Sequence, residues 1–195
     1  ARQVAYAPEH LAAAKQSAVE SAILLQNNND VLPLKSAKRI LVTGPMADAP
    51  YDQLGTWAFD GEEAYTVTPL TALRKDYEVV YEPALAYSRD ASTAGIPAAV
   101  AAARGVDAVV AFVGEEAILS GEAHSLSEIN LQGAQSELIK ALKATGKPVV
   151  VVVIAGRNLT IERDLENCDA MLYSFHPGTM GGEALADLIT GRAVP

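Results

Sequence analysis

Six consecutive apolar residues, Val149 to Ile154, all β-branched, follow Pro148 and end before Ala155-Gly156. The run lacks the apolar-polar alternation of a strand with one wet face, so both of its faces must be covered. A parallel sheet with helices packed on each side supplies that cover. Four further segments carry the same signal, mostly bounded by Gly, Pro or Asp: Arg39 to Gly44, Tyr77 to Tyr81, Asp107 to Val113 and Asp169 to Phe175. Between the runs the apolar spacing turns helical. The first helix is expected over about Pro8 to Asn27, where Leu11, Ala14, Ala18, Ala22 and Leu25 recur near every 3.6 residues and Pro8 suits a first turn. Others are expected near Thr68 to Lys75, Ala94 to Arg104, Gln132 to Thr145, Leu159 to Leu165 and Gly182 to Thr190, with Thr145-Gly146-Lys147-Pro148 as a helix stop. Strands alternating with helices place the chain in the α/β class, with a mostly parallel sheet, helices on both faces and Val149 to Ile154 at its centre.

Composition narrows the function. With 195 residues, half of them hydrophobic, the chain suffices for one domain with a real core. Fifteen Lys and Arg against 24 Asp and Glu leave a formal charge of −9, a field that opposes nucleic acid. The single cysteine, Cys168, has no partner for an internal disulfide. No stretch approaches the roughly 20 apolar residues of a membrane-spanning helix, and no leader pattern opens the chain, so any export signal is expected outside it. The glycine patterns of dinucleotide and nucleoside triphosphate sites and the G-x-S-x-G elbow are absent, and His10, His124 and His176 lack metal-ligand spacing.

Two long irregular stretches, Pro45 to Tyr65 and Glu115 to Asn130, follow the carboxyl ends of predicted parallel strands, where open α/β sheets place their ligands. The second begins Gly114-Glu115-Glu116 and continues Ser120-Gly121-Glu122-Ala123-His124-Ser125. A glutamate after glycine on a long loop suits a proton donor aimed into a cleft; a solvated acidic surface capping a helix fits the same residues. Trp57, in Gly55-Thr56-Trp57-Ala58-Phe59, reads either as a sugar-stacking platform or as a plug over the core. His176, before Pro177-Gly178, reads as a loop cap or a ligand contact.

An ordered set of short motifs resembles the second domain of the family 3 glycoside hydrolases, the β-glucosidase group. Ser17 to Asn27 followed by Val31-Leu32-Pro33-Leu34, Val42 to Asp48, Gly55-Thr56-Trp57, Val113-Gly114-Glu115 with Gly121-Glu122, Ala141 to Val149, Gly156-Arg157-Asn158-Leu159 and Pro177 to Ala184 match it in order from about Ala14 to Arg192. Leu126 stands where the family has an arginine, and Gln132 where many members have a proline. The resemblance implies a flavodoxin-like three-layer sandwich packed against a TIM-barrel domain, with the active site in the crevice between them. Residues 1–195 are then a single domain, about 1–8 linker, excerpted from a longer enzyme whose N-terminal barrel supplies the nucleophilic aspartate. The implied reaction is retaining, exo-acting hydrolysis of β-glucosides or short β-linked oligosaccharides, in which two carboxylates suffice and no metal or organic cofactor is required. Glu122 is the expected acid/base, with Glu115 as runner-up, its carboxylate expected to bond loop amides; Trp57 and His124 are the expected substrate contacts. A sugar-binding or barrel-supporting domain without catalysis is the alternative. The resemblance also implies a periplasmic or secreted location.

Overall fold

A computed structural model describes residues 2–195. In chain order its elements are α1 (Arg2–Ala5), α2 (Pro8–Ser21), β1 (Ile23–Asn27), β2 (Arg39–Thr43), α3 (Pro50–Leu54), α4 (Pro69–Leu73), β3 (Glu78–Glu82), α5 (Ile96–Ala103), β4 (Ala108–Gly114), α6 (Gln135–Lys143), β5 (Val149–Ile154), α7 (Glu162–Leu165), β6 (Ala170–Tyr173) and α8 (Gly181–Thr190). The strands form one sheet in the order β1-β6-β5-β4-β2-β3. Every pairing is parallel except that of β1 with β6. This is the expected α/β sandwich.

β5 explains itself. Val150, Val152 and Ile154 enter one core layer with Val110, Phe112 and Leu172, under α2, α4 and α8. Val149, Val151 and Val153 enter the other with Val109, Val113 and Leu138, under α5 and α6. Both faces of the strand are therefore dry, and neither has room for a polar position.

The expected first helix is corrected. It ends at Ser21, Ala22 turns extended at φ −73° and ψ 138°, and Ile23–Asn27 pairs antiparallel with β6 as the sixth strand. The spacing of Ala22 and Leu25 suits a helix, but Leu24 has a cross-strand partner in Leu172, and Gln26 Nε2 donates to the carbonyls of Leu165 at 3.0 Å and Cys168 at 2.9 Å. Those long-range bonds outweigh a local preference of a few tenths of a kcal/mol per residue. The other five expected helices form within their stretches, except that α8 begins one residue early, at Gly181, while α1 and α3 form where a linker and an irregular stretch were expected. No helix among the described residues is long and apolar enough to cross a membrane.

The carboxyl ends of β2, β3, β4, β5 and β6 share one edge. Both long stretches leave from it, and each is partly ordered by local structure: α3 and a 3₁₀ turn at Glu63–Tyr65 in the first, a 3₁₀ turn at Ala117–Leu119 in the second.

Candidate active site

Four loops from that edge converge on the segment after β4. Gly114 leaves the strand at φ +142°, and an added Cβ there would lie 1.7 Å from the Ile154 carbonyl oxygen. The buried Gln135 side chain takes both polar groups of Gly114, accepting from its N–H at 2.8 Å and donating to its carbonyl at 2.9 Å. The next residues are held just as closely. Arg157 Nε donates to Glu115 Oε2 at 3.1 Å, and Arg157 Nη2 donates to the Leu119 carbonyl. Ser88 Oγ donates to Glu116 Oε2 at 2.7 Å. Asp52 Oδ1 accepts from Ala117 N at 2.8 Å, and Thr56 Oγ1 donates to the Ala117 carbonyl at 2.6 Å. Ser120 Oγ lies 2.8 Å from Thr56 Oγ1 and 3.4 Å from His176 Nε2.

Past Ser120 the anchoring stops. Gly121, at φ +103°, presses against Thr56, and the hydrogen bonds of residues 121–127 then run within the segment. Glu122 is exposed, and none of the described residues hydrogen-bonds or pairs with its carboxylate. His124 folds back so that its Nδ1 sits 2.9 Å from the Glu122 carbonyl oxygen. The chain is caught again where Gln132 Nε2 donates to the carbonyls of Glu128 at 2.9 Å and Asn130 at 3.0 Å. An amide side chain thus ties the turn at the position where many family members have proline.

Trp57 is not a plug over the core. The residue is 59% exposed, and its indole meets Phe59 edge-on at 5.7 Å between ring centroids. Because Thr56 touches Gly121, the residues just before Trp57 and Glu122 are in contact, so the structure brings these two candidates to one place. His124 shares the Glu122 segment.

Glu115 departs from its expectation. It is 1% exposed, and Arg157, rather than a loop amide, takes its carboxylate. Burial pushes its pKa up, with the Arg157 charge and hydrogen bond acting in the opposite direction. His176 is a hub: added Cβ atoms on Gly55 and Gly156 would reach its ring at 2.9 and 2.5 Å. Burial holds the imidazole below its usual range, the Asp52 backbone countering in part, so the ring is neutral at pH 7.

The residues that sequence reasoning passed over are Arg157, Gln135, Asp52 and Ser120. Arg157 alone left a signal, a guanidinium three residues past the end of a wholly apolar run, where a buried anion is its natural partner.

The profile of the glycosyl hydrolase family 3 C-terminal domain matches residues 22–195. The chain belongs to that family. It is 36% identical to the periplasmic β-glucosidase of Salmonella typhimurium over 95% of its own length and 27% of the relative's. It is 35% identical to a β-xylosidase of Formosa agariphila, over 96% of its length and 27% of that protein. The crystal structure of β-glucosidase from Listeria innocua in complex with isofagomine superposes with a TM-score of 0.91 at 36% identity, covering 96% of this chain and 26% of that one. The chain therefore spans about a quarter of these relatives. In this family 3 domain the motif Val113-Gly114-Glu115 marks the anchored start of the loop and Gly121-Glu122 its free part.

Proposed function

We propose that this domain supplies Glu122 as the acid/base of a retaining, exo-acting β-glycosidase whose nucleophilic aspartate lies on a TIM-barrel domain packed against the edge described above. The observation that carries this reading is an exposed carboxylate with no partner among the described residues, placed directly after a tightly anchored turn and beside the Trp57 loop. A side chain bound elsewhere is not free to move a proton; this one is.

In the first step the barrel carboxylate attacks the anomeric carbon while Glu122 gives its proton to the departing glycosidic oxygen. In the second, the Glu122 carboxylate takes a proton from water as that water attacks the glycosyl-enzyme carbon. Trp57 forms a wall of the site for the leaving sugar and His124 contacts substrate from the Glu122 side. Terminal β-linked glucose is the proposed substrate, in a periplasmic or secreted enzyme, and a β-xyloside is the control because relatives of both names match.

The test is Glu122→Ala in the full-length enzyme. Hydrolysis of glucosides with poor leaving groups should fall by about 10² to 10⁴-fold, the range for lost general acid/base catalysis. Activated aryl glucosides should still release their phenol in the first turnover, and azide should restore steady turnover and yield a glycosyl azide. Wild-type behaviour, or azide rescue confined to Glu115→Ala, would transfer the role to Glu115. The 195-residue chain by itself should not turn over nitrophenyl β-glucoside, because a proton donor without its nucleophile cannot form the intermediate.

A further inference from the structure

We infer that Arg157, through its buried pair with Glu115, is a positioning residue that sets the orientation of Glu122; the inference rests on the acid/base reading above. One guanidinium grips two points of the same loop four residues apart, the Glu115 carboxylate through Nε and the Leu119 carbonyl through Nη2. Those two bonds close a ring around the 3₁₀ turn Ala117–Leu119 and fix its pitch against β5. Lysine, a single point charge, cannot hold both acceptors in one plane as the planar fork does.

The other groups at this place converge on the same stretch of backbone. The Arg157 turn is fastened to β6 by Tyr173, whose hydroxyl donates to the Arg157 carbonyl and accepts from Leu159 N at 3.1 Å. Burial raises the phenol's pKa, although the Leu159 amide lowers it, so the donated proton stays in place. Gly156 must lack a side chain, since a Cβ would lie 2.1 Å from Ser120 Oγ. The Arg157 turn is therefore seated against Ser120, the last anchored residue before Gly121-Glu122. From Gly121 to residue 127 the hydrogen bonds among the described residues stay within the loop, which is next fastened where Thr160 N donates to the Ile129 carbonyl at 2.7 Å, so on the β4 side the direction in which Glu122 leaves the scaffold is set at Leu119 and Ser120.

Glu115 belongs to the same device. Its Oε1 is buried with no hydrogen-bond partner among the described residues, and Arg157 is the cation that compensates the carboxylate. Without Arg157 the carboxylate would take up a proton or the turn would open to water. Either change displaces Glu122 without touching substrate.

The experiment compares Arg157→Gln, Arg157→Lys, Glu122→Ala and the double variant R157Q/E122A in the full-length enzyme, across aryl β-glucosides of graded leaving-group basicity, with thermal unfolding measured for each. Arg157→Gln should lower kcat/KM for the poorest leaving groups by about 10- to 100-fold, the scale of a displacement near 1 Å, and leave the most activated substrate nearly unchanged. Added to Glu122→Ala it should have no further effect, because it acts through the missing group. Arg157→Lys, which retains the compensating charge, should fold as wild type does and show a smaller defect of the same shape; it decides the matter if Arg157→Gln fails to fold. An equal loss on every substrate, or additive losses in the double variant, would reduce Arg157 to a purely structural role and overturn the inference while the acid/base reading stands. If Glu122→Ala itself shows neither leaving-group dependence nor azide rescue, the reading falls and the inference falls with it.

Discussion

Glu115 and Glu122 sit seven residues apart on one loop and live in opposite environments. The first is buried, paired with Arg157 and flanked by residues bonded to other parts of the fold; the second is exposed and, among the described residues, bonded to nothing outside its own turn. The difference shows how a loop can be both accurate and reactive. Anchoring is concentrated in residues 114–120, where polar groups are spent on neighbours, and the proposed proton donor sits in residues 121–128, where they are not. A binding or catalytic group on a loop gains precision only from the scaffold behind it.

Proteolysis should separate the two regions most sharply. A glutamate-specific protease added to the folded protein should cut first after Glu122 or Glu128, and after Glu115 or Glu116 at least about a hundredfold more slowly, because opening the anchored part costs several kcal/mol more. Early fragments ending at Glu115 would show the anchored segment to be loose.

Gly114→Ala should be the most damaging single change, exceeding about 3 kcal/mol, since positive φ and a backbone oxygen 1.7 Å from the new Cβ leave no atom free to yield. Urea unfolding, or loss of soluble protein, reads this out. A variant as stable as the parent would mean that β4 and β5 can separate there.

Glu115→Ala should cost about 3 kcal/mol, the low end for half of a buried ion pair, as the partner guanidinium retains some solvent contact. Glu122→Ala should change stability by less than about 0.5 kcal/mol, as expected at an exposed site whose carboxylate has no partner among the described residues. Equal costs in denaturant titrations would erase the contrast between the two glutamates.

The smallest effect is on the pH dependence of stability. Glu115 has a raised folded-state pKa, so its contribution is complete below the ordinary carboxylate value and is lost as pH rises through the raised one. Asp107, at the opposite sheet edge, is pulled down by the amides of Arg39 and Lys38, so its contribution is present above the ordinary value and is lost as pH falls through the lowered one. Glu115→Gln should therefore flatten the mildly acidic side of the stability profile and Asp107→Asn the strongly acidic side. The reverse assignment would contradict both environments.

The sequence by itself determined the class of fold, the central place of Val149–Ile154 and the two long stretches at the carboxyl edge of the sheet, because these follow from periodicity and from the need to bury apolar faces. It also singled out Glu122 and Trp57, through flanking glycines and family motifs. Three things were decided only in the tertiary structure. Ile23–Asn27 became a strand because β6 offered it a hydrogen-bonding edge that helical spacing cannot reveal. Glu115, expected to bond loop amides, took Arg157 as its partner instead, 42 residues away in the chain. The contact that joins the Trp57 and Glu122 loops, Thr56 with Ser120, spans 64 residues. Such pairs carry no local signature, since a hydroxyl or a guanidinium is satisfied by whichever acceptor the packed elements bring near it, and that choice exists only after the sheet has formed.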